Sequence, residues 1–206
     1  MMSPMTRLWG LALLLLAGCN VLPEAAPPPK LYTLTPASDF PSSLPRSTWR
    51  ALEIEVPAAT ASLDSTSILL SQSPTRIDRF AQAAWIDRAP QLVQALLVQS
   101  FENSGRLAAV GRSSSALHAD VALLSELRHF EAAYGGAGPP HAVLELTLKL
   151  VSLPERDLLA EHRFEASVVA TQNQLPEVVE AFDAALHQML REVVVWTLAQ
   201  REHAPR

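Results

Sequence analysis

An alternation of leucine and polar residues over residues 144–150, within a predicted strand over residues 141–151, constrains the fold more than any other pattern in this chain. Side chains in a strand point alternately to the two sides, so this segment has one apolar face and one polar face. The apolar set is Leu144, Leu146, Leu148 and Leu150, and the polar set is Glu145, Thr147 and Lys149. A sheet with one apolar face needs a covering layer, which predicts a layered domain.

Two more long strands are predicted beside this one, over residues 120–131 and 158–170. The glycine-rich residues 135–140 are typical of a flexible hairpin connection. Shorter strands are predicted over residues 31–34 and 52–56. Weaker strand patterns cover residues 67–71 and 77–85, and the Pro/Ser-rich residues 36–48 indicate a loop.

The cover for the sheet is predicted from two helical patterns. Residues 175–200 place an apolar stripe on one side and charged residues mainly on the other. Residues 90–103 form a second helix, because Pro90 suits a first helical turn and Gly105 supplies a stop. We therefore predict an α+β fold, a mostly antiparallel sheet with two amphipathic helices packed on one face.

The N-terminus carries a bacterial lipoprotein signal pattern. Cys19, the only cysteine, ends the run Leu16, Ala17, Gly18, Cys19 after an apolar stretch of about ten residues, against the roughly 20 that a transmembrane helix needs. Arg7 supplies the positive flank of a signal peptide. We predict that residues 1–18 are removed and that the Cys19 thiol takes up a diacylglyceryl group, with a third acyl chain such as palmitate on the new amine.

The domain organisation follows from this signal. Residues 19–30, with the lipidated cysteine and four prolines, are predicted to form an extended spacer that lifts the domain roughly 30 Å from the lipid surface. Residues 31–200 are predicted as a single α+β domain, and residues 201–206 as a polar tail. Two or three acyl chains anchor a protein almost permanently, whereas one chain does not.

Composition excludes other classes of function. The net charge is −5 and basic residues are not clustered, whereas nucleic-acid binding demands clustered Lys and Arg. With its one cysteine acylated, the chain has no thiol left for a disulfide. The six histidines do not show metal-ligand spacing, no phosphate-binding or dinucleotide motif is present, and we predict neither a metal nor a cofactor.

Catalytic arrangements are equally absent from the pattern, and we predict that the chain is not an enzyme. The serines at 113–115 lack the flanking glycines of a nucleophile elbow and indicate a loop. His162 falls on the side of its strand with Phe164, which predicts a core histidine. Asp183 and His187 lie four apart on the last helix and could pair through a hydrogen bond, and a surface interaction is a more common outcome of this spacing than a catalytic dyad. The acidic strand residues Glu53, Glu55 and Glu145 are predicted to be solvated.

The order of these features resembles the ABC-type transport auxiliary lipoprotein family, the paraquat-inducible lipoprotein group. Four elements carry the resemblance: the cysteine motif at Cys19, the proline-rich spacer leading into residues 31–34, residues 85–90 leading into a helix, and the long closing helix. The likeness covers nearly all of the chain after the signal peptide.

The resemblance implies a non-catalytic subunit beside an inner-membrane ABC system with an MCE (mammalian cell entry) domain protein. Such systems are thought to move phospholipids or other apolar molecules between two membranes, and the lipoprotein would dock the periplasmic assembly at the outer membrane. Asn20 follows Cys19, so the common aspartate signal for inner-membrane retention is absent. This favours the outer membrane, with the domain facing the periplasm.

Two alternatives stay open at this point. The domain is itself a carrier, with a lipid or apolar ligand in a pocket between the sheet and its two helices, or it is an assembly lipoprotein for an outer-membrane complex. Trp49 and Trp85, near element boundaries, are either contact residues for a partner or buried packing residues, and packing is the more common role. A ring of copies and a monomer are both compatible with the sequence.

Overall fold

The computed structural model describes residues 27–115, 118–136 and 138–200. The predicted signal peptide, Cys19, most of the spacer and the tail 201–206 lie outside the described residues. Within them the chain forms nine strands in one sheet and two helices. The strands are β1 (Lys30–Tyr32), β2 (Ala51–Ile54), β3 (Ala58–Ala59), β4 (Ser67–Ser73), β5 (Arg76–Trp85), β6 (Ala109–Arg112), β7 (Val121–Ala133), β8 (His141–Ser152) and β9 (Leu158–Val169), and the helices are α1 (Ala89–Ser104) and α2 (Leu175–Ala199).

Strand β7 is the central strand of the sheet and pairs with other strands along both of its edges. One of its edges pairs along its whole length with β8, and β8 pairs in turn with β9, both antiparallel. Its other edge pairs in parallel with three short strands in succession, β2 near its start, β3 in its middle and β4 at its end. Beyond these, β6 pairs with β2, while β5 and then β1 extend the sheet from β4.

The predicted fold class is confirmed. The three long strands carry most of the paired residues, so the sheet is mostly antiparallel with short parallel additions. The two short strands β3 and β6 were not predicted, because two and four residues are too few to show an alternation. The β2 strand also ends earlier than its alternation suggests, at Ile54 rather than at residue 56.

Both helices start and stop where the sequence indicates. Pro90 lies in the first turn of α1, and Gly105 closes the helix in the left-handed conformation, with φ of 62°. Helix α2 also begins with a proline, Pro176, and carries the acidic Glu177 in its first turn, where the helix dipole favours negative charge. None of the described helices is long and apolar enough to cross a membrane.

An aromatic cluster fills the layer between the sheet and the long helix. Trp85, Phe130 and Phe182 come from β5, β7 and α2, and each is at most 1% exposed. Their ring centroids lie 5.3 to 5.6 Å apart, with the Trp85 and Phe182 rings edge to face. Burial of three large rings in tilted contact makes this the centre of the hydrophobic core.

Candidate functional site: a groove along the long helix

The segment that follows β1 is fastened to the outer side of α2. We call residues 33–39 the strap. The Asp183 carboxylate accepts hydrogen bonds from the backbone N–H of Thr35 at 2.6 Å and from its hydroxyl at 2.9 Å. A carboxylate with several donors holds a strand-like segment in one position along a helix. The strap therefore joins the start of the domain to its last helix.

A second attachment lies one turn further along α2. The Asp39 carboxylate lies 2.7 Å from Nε2 of His187 and 3.4 Å from Nη1 of Arg191. The hydrogen bond from His187 is the largest cause that lowers the pKa of Asp39 below its ordinary value, and the nearby positive charges act in the same direction. The ionised form of Asp39 is thus the form that makes this second attachment.

Between these attachments and the exposed side of α2 runs an open groove of about 900 Å³. Its apolar surface comes from Val179, Ala184, Val195 and Trp196 of the helix, and its rim carries the charges of Glu180, Arg191 and Glu192. Thr33 and Thr35 of the strap form the opposite lining. The volume lies within the 300–1,000 Å³ range of small-ligand sites. An apolar floor with a charged rim suits an acyl chain or an amphipathic protein segment.

The predicted position for such a pocket was different. The alternative of a carrier places the ligand between the sheet and the helices, but Trp85, Phe130 and Phe182 fill that layer. The groove lies instead on the outer face of α2, beside the strap. No periodicity in the sequence reveals it, because its threonines precede the helix residues they face by more than 140 positions.

The prediction that His162 is a core residue was wrong, and this histidine lies beside one end of the groove. His162 is exposed on β9 rather than buried in the core. Its ring stacks on Trp196, with centroids 5.8 Å apart, and meets Phe164 edge to face. Phe164, two residues further along the same face of β9, is 4% exposed, so the edge of the buried core lies between these two positions. The histidine thus supports the tryptophan that lines the groove.

The predicted Asp183–His187 pair is also wrong. Asp183 is engaged by Thr35 and His187 by Asp39, so each of the two side chains binds the strap instead of its helical neighbour. Spacing of four along a helix allows a contact but does not require one when a passing segment offers better donors and acceptors.

On the opposite face of the sheet, Glu145 is buried rather than solvated as predicted. Its side chain is 8% exposed and contacts Arg163 at 2.9 Å, with Arg128 and His129 each at 3.9 Å. A bulge in β7 between Leu127 and His129 puts two consecutive basic side chains on this face. Glu53 and Glu55 are half-buried, the latter paired with an arginine.

The other residues singled out in the sequence have structural roles. Trp49 and Trp85 are 5% and 1% exposed, so both are packing residues rather than surface contacts. The serines at 113–115 form a turn after β6, as predicted. Among the residues that the structure describes, no three His, Cys, Asp or Glu side chains are grouped so that they could hold a metal ion. Cys19 lies outside these residues.

A comparison with protein families covers most of the described residues. A family model described as "ABC-type transport auxiliary lipoprotein component" matches residues 32–194. The chain belongs to this family. The match confirms the resemblance inferred from the sequence, and it describes an auxiliary component of a transport system. It begins at Tyr32, so it includes the strap and nearly all of α2.

Individual relatives extend this comparison. An uncharacterized protein of Bradyrhizobium diazoefficiens is 31% identical over 148 residues, which cover 72% of this chain and 39% of the relative. A crystal structure of a Xanthomonas campestris protein of the DUF330 family is 29% identical, covers 82% of this chain and 94% of its own, and superimposes with a TM-score of 0.77. A second solved structure, of an uncharacterized protein, is 16% identical to this chain and has a TM-score of 0.64. The comparison covers 83% of this chain and 99% of that protein, and at this identity it shows the fold alone.

Proposed function

We propose that this chain is a non-catalytic, lipid-anchored docking subunit of an ABC/MCE-type intermembrane lipid transport system, held at the outer membrane and facing the periplasm. In this proposal residues 1–18 are removed, Cys19 is acylated, residues 19–30 form the spacer, and residues 31–200 act as one domain. Family membership over residues 32–194 supports the transport role, and the cysteine motif supports the anchor.

The observation that carries the docking role is the groove on α2. It is open along its length and has an apolar floor with charges of both signs on its rim. Protein interfaces have this arrangement, an apolar centre with a polar rim. An amphipathic segment of an MCE-domain protein fits such a groove by placing its apolar side on Val195 and Trp196.

In-cell photocrosslinking tests this proposal. A photoreactive residue is placed at Gln188, on the groove, and in a matched variant at Gln99, an exposed glutamine of α1 away from the groove. We expect the probe at Gln188 to capture an MCE-domain protein and the probe at Gln99 to capture none. Capture of only outer-membrane barrels would instead favour the assembly lipoprotein, and crosslinks between copies would reveal a homo-oligomer. Absence of an MCE protein from both positions contradicts the docking role.

The groove volume supports a second candidate, a carrier that binds a lipid or other apolar ligand itself. About 900 Å³ with several apolar side chains is sufficient for a small amphiphile. Native mass spectrometry of the lipid-free Cys19→Ser chain, expressed without residues 1–18, tests this candidate. We expect co-purified lipid that is lost in Ala184→Trp, which fills the groove at an exposed helix position. A chain that carries no lipid in either form removes the carrier from consideration.

A further inference from the structure

A pair of apolar side chains at one edge of the sheet is left open to solvent. Leu31 is 64% exposed and Ile86 is 61% exposed, and these are the two most exposed large apolar side chains in the described part of the chain. Scattered apolar residues on a surface need no explanation, but two that adjoin each other form the beginning of a contact site.

The strand pairing brings these two side chains together. Strand β1 is an edge strand that pairs in parallel with β5, with Leu31 opposite Ala84, and the N–H of Ile86 donates to the carbonyl of Tyr32 just beyond. Ile86 lies two residues after Ala84, so it points to the same side of the sheet as Leu31. Trp85 points to the other side, into the core. We call Leu31 and Ile86 the edge patch.

The edge patch lies where the spacer meets the domain. Eleven residues, 20–30, separate Cys19 from Leu31. At the polyproline rise of about 3.1 Å per residue they reach roughly 34 Å, so the anchor keeps the patch close to the lipid. Lys30, exposed on the same edge strand, adds a positive charge that attracts anionic lipid headgroups.

We propose that the edge patch inserts into the surface of the membrane that holds the acyl chains, as a second and weaker contact that orients the domain. The inference rests on the acylation of Cys19 in the proposed function and adds a lipid-binding surface to it. Two aliphatic side chains bind a membrane weakly on their own. A short tether raises their effective concentration at the membrane to the millimolar range, so weak affinity is sufficient for frequent contact.

Contact at this edge fixes the orientation of the sheet. Strand β9 lies five strand spacings away from β1 by way of β5, β4, β7 and β8, roughly 24 Å at about 4.8 Å per spacing. Leu158 at the start of β9 is 57% exposed and thus similar in exposure to Ile86. It is the matched control position, since it has the same chemistry at the far edge.

Spin-label accessibility of the full-length, acylated protein in phosphatidylethanolamine and phosphatidylglycerol vesicles tests the proposal. Because the thiol of acylated Cys19 is blocked, Ile86→Cys and Leu158→Cys each carry one reactive thiol for a nitroxide. We expect vesicles to raise the ratio of oxygen to water-soluble nickel accessibility several-fold at position 86 and to leave it unchanged at position 158. The added substitution Leu31→Ser should reduce the rise at position 86.

The possible results distinguish a failure of the acyl anchor from a failure of the membrane contact at the edge patch. Protein that floats with the vesicles but shows equal ratios at positions 86 and 158 overturns the membrane contact and leaves the anchor intact. Dipolar broadening between labels at position 86 on two copies assigns the patch to a self-interface and likewise overturns it. Protein that does not float with the vesicles contradicts the acyl anchor and, with it, the edge-patch contact.

Discussion

The aromatic cluster gives a quantitative prediction for the variant Phe182→Ala. Phe182 is completely buried and touches both Trp85 and Phe130 at centroid distances of 5.3 Å. Truncation of a buried phenylalanine costs about 3–5 kcal/mol, from lost burial and from the cavity left behind. With a denaturant slope of about 2 kcal/mol per molar urea, a loss of about 4 kcal/mol lowers the unfolding midpoint by about 2 M.

Urea unfolding followed by tryptophan fluorescence measures this shift, because buried Trp85 reports on the same cluster. The control is Val195→Ala on the same helix, at a side chain that is 39% exposed, where we expect less than about 0.5 kcal/mol. Phe182→Leu keeps an apolar side chain and should fall between the two. A midpoint for Phe182→Ala close to that of Val195→Ala would refute the placement of this ring at the centre of the core.

Three further predictions concern the site, the open sheet face and a helix end. The His187 hydrogen bond lowers the pKa of Asp39 below 3.8, so its contribution to stability is complete above pH 3.8 and is lost as pH falls through the lowered pKa. Acid titrations followed by NMR should therefore show loss of the Asp39–His187 contact in the wild type, whereas Asp39→Asn should lack this transition while Thr35 stays bound to Asp183. Arg163→Ala should cost about 1–3 kcal/mol in thermal unfolding, more than Glu145→Gln, because it leaves a buried carboxylate with partners no nearer than 3.9 Å. Gly105→Ala should cost about 1 kcal/mol in urea unfolding, because φ is 62° there although the space around it is open. A smaller effect for Arg163→Ala than for Glu145→Gln, or none for Gly105→Ala, would contradict the respective argument.

The long elements were predictable because their signals are local. The leucine alternation in β8 and the apolar stripe of α2 each repeat many times within one segment, and the observed bounds differ from the predicted ones by one residue at the C-terminal end of each. Helix α1 was found from Pro90 and Gly105, whose backbone preferences act at single positions. Such information needs no knowledge of the rest of the chain.

The site was not predictable because its contacts are distant in sequence. Thr35 and Asp183 are 148 positions apart, as are Asp39 and His187, and nothing in either segment indicates its partner. The burial of Glu145 has the same origin, since it depends on a bulge in the neighbouring strand β7. Patterns of hydrophobicity indicate which face of an element is buried, but they do not indicate which loop will cross its polar face.

The strap matters for the proposed function because it joins the segment next to the spacer to the last helix of the domain. The proposed anchor precedes Leu31 by only twelve positions, whereas α2 closes the domain, yet Thr35 and Asp39 bind the strap directly to that helix. A partner in the groove therefore contacts both the last helix and the segment next to the spacer. Asp183→Ala would remove the hydrogen bonds that hold Thr35 and would loosen the Thr33–Thr35 wall of the groove, while Leu34 and Ala37 of the strap stay buried in the core. Under the proposed function, that variant should fold and reach the membrane but capture less MCE-domain protein from Gln188, and unchanged capture would show that docking at the groove does not need the strap wall.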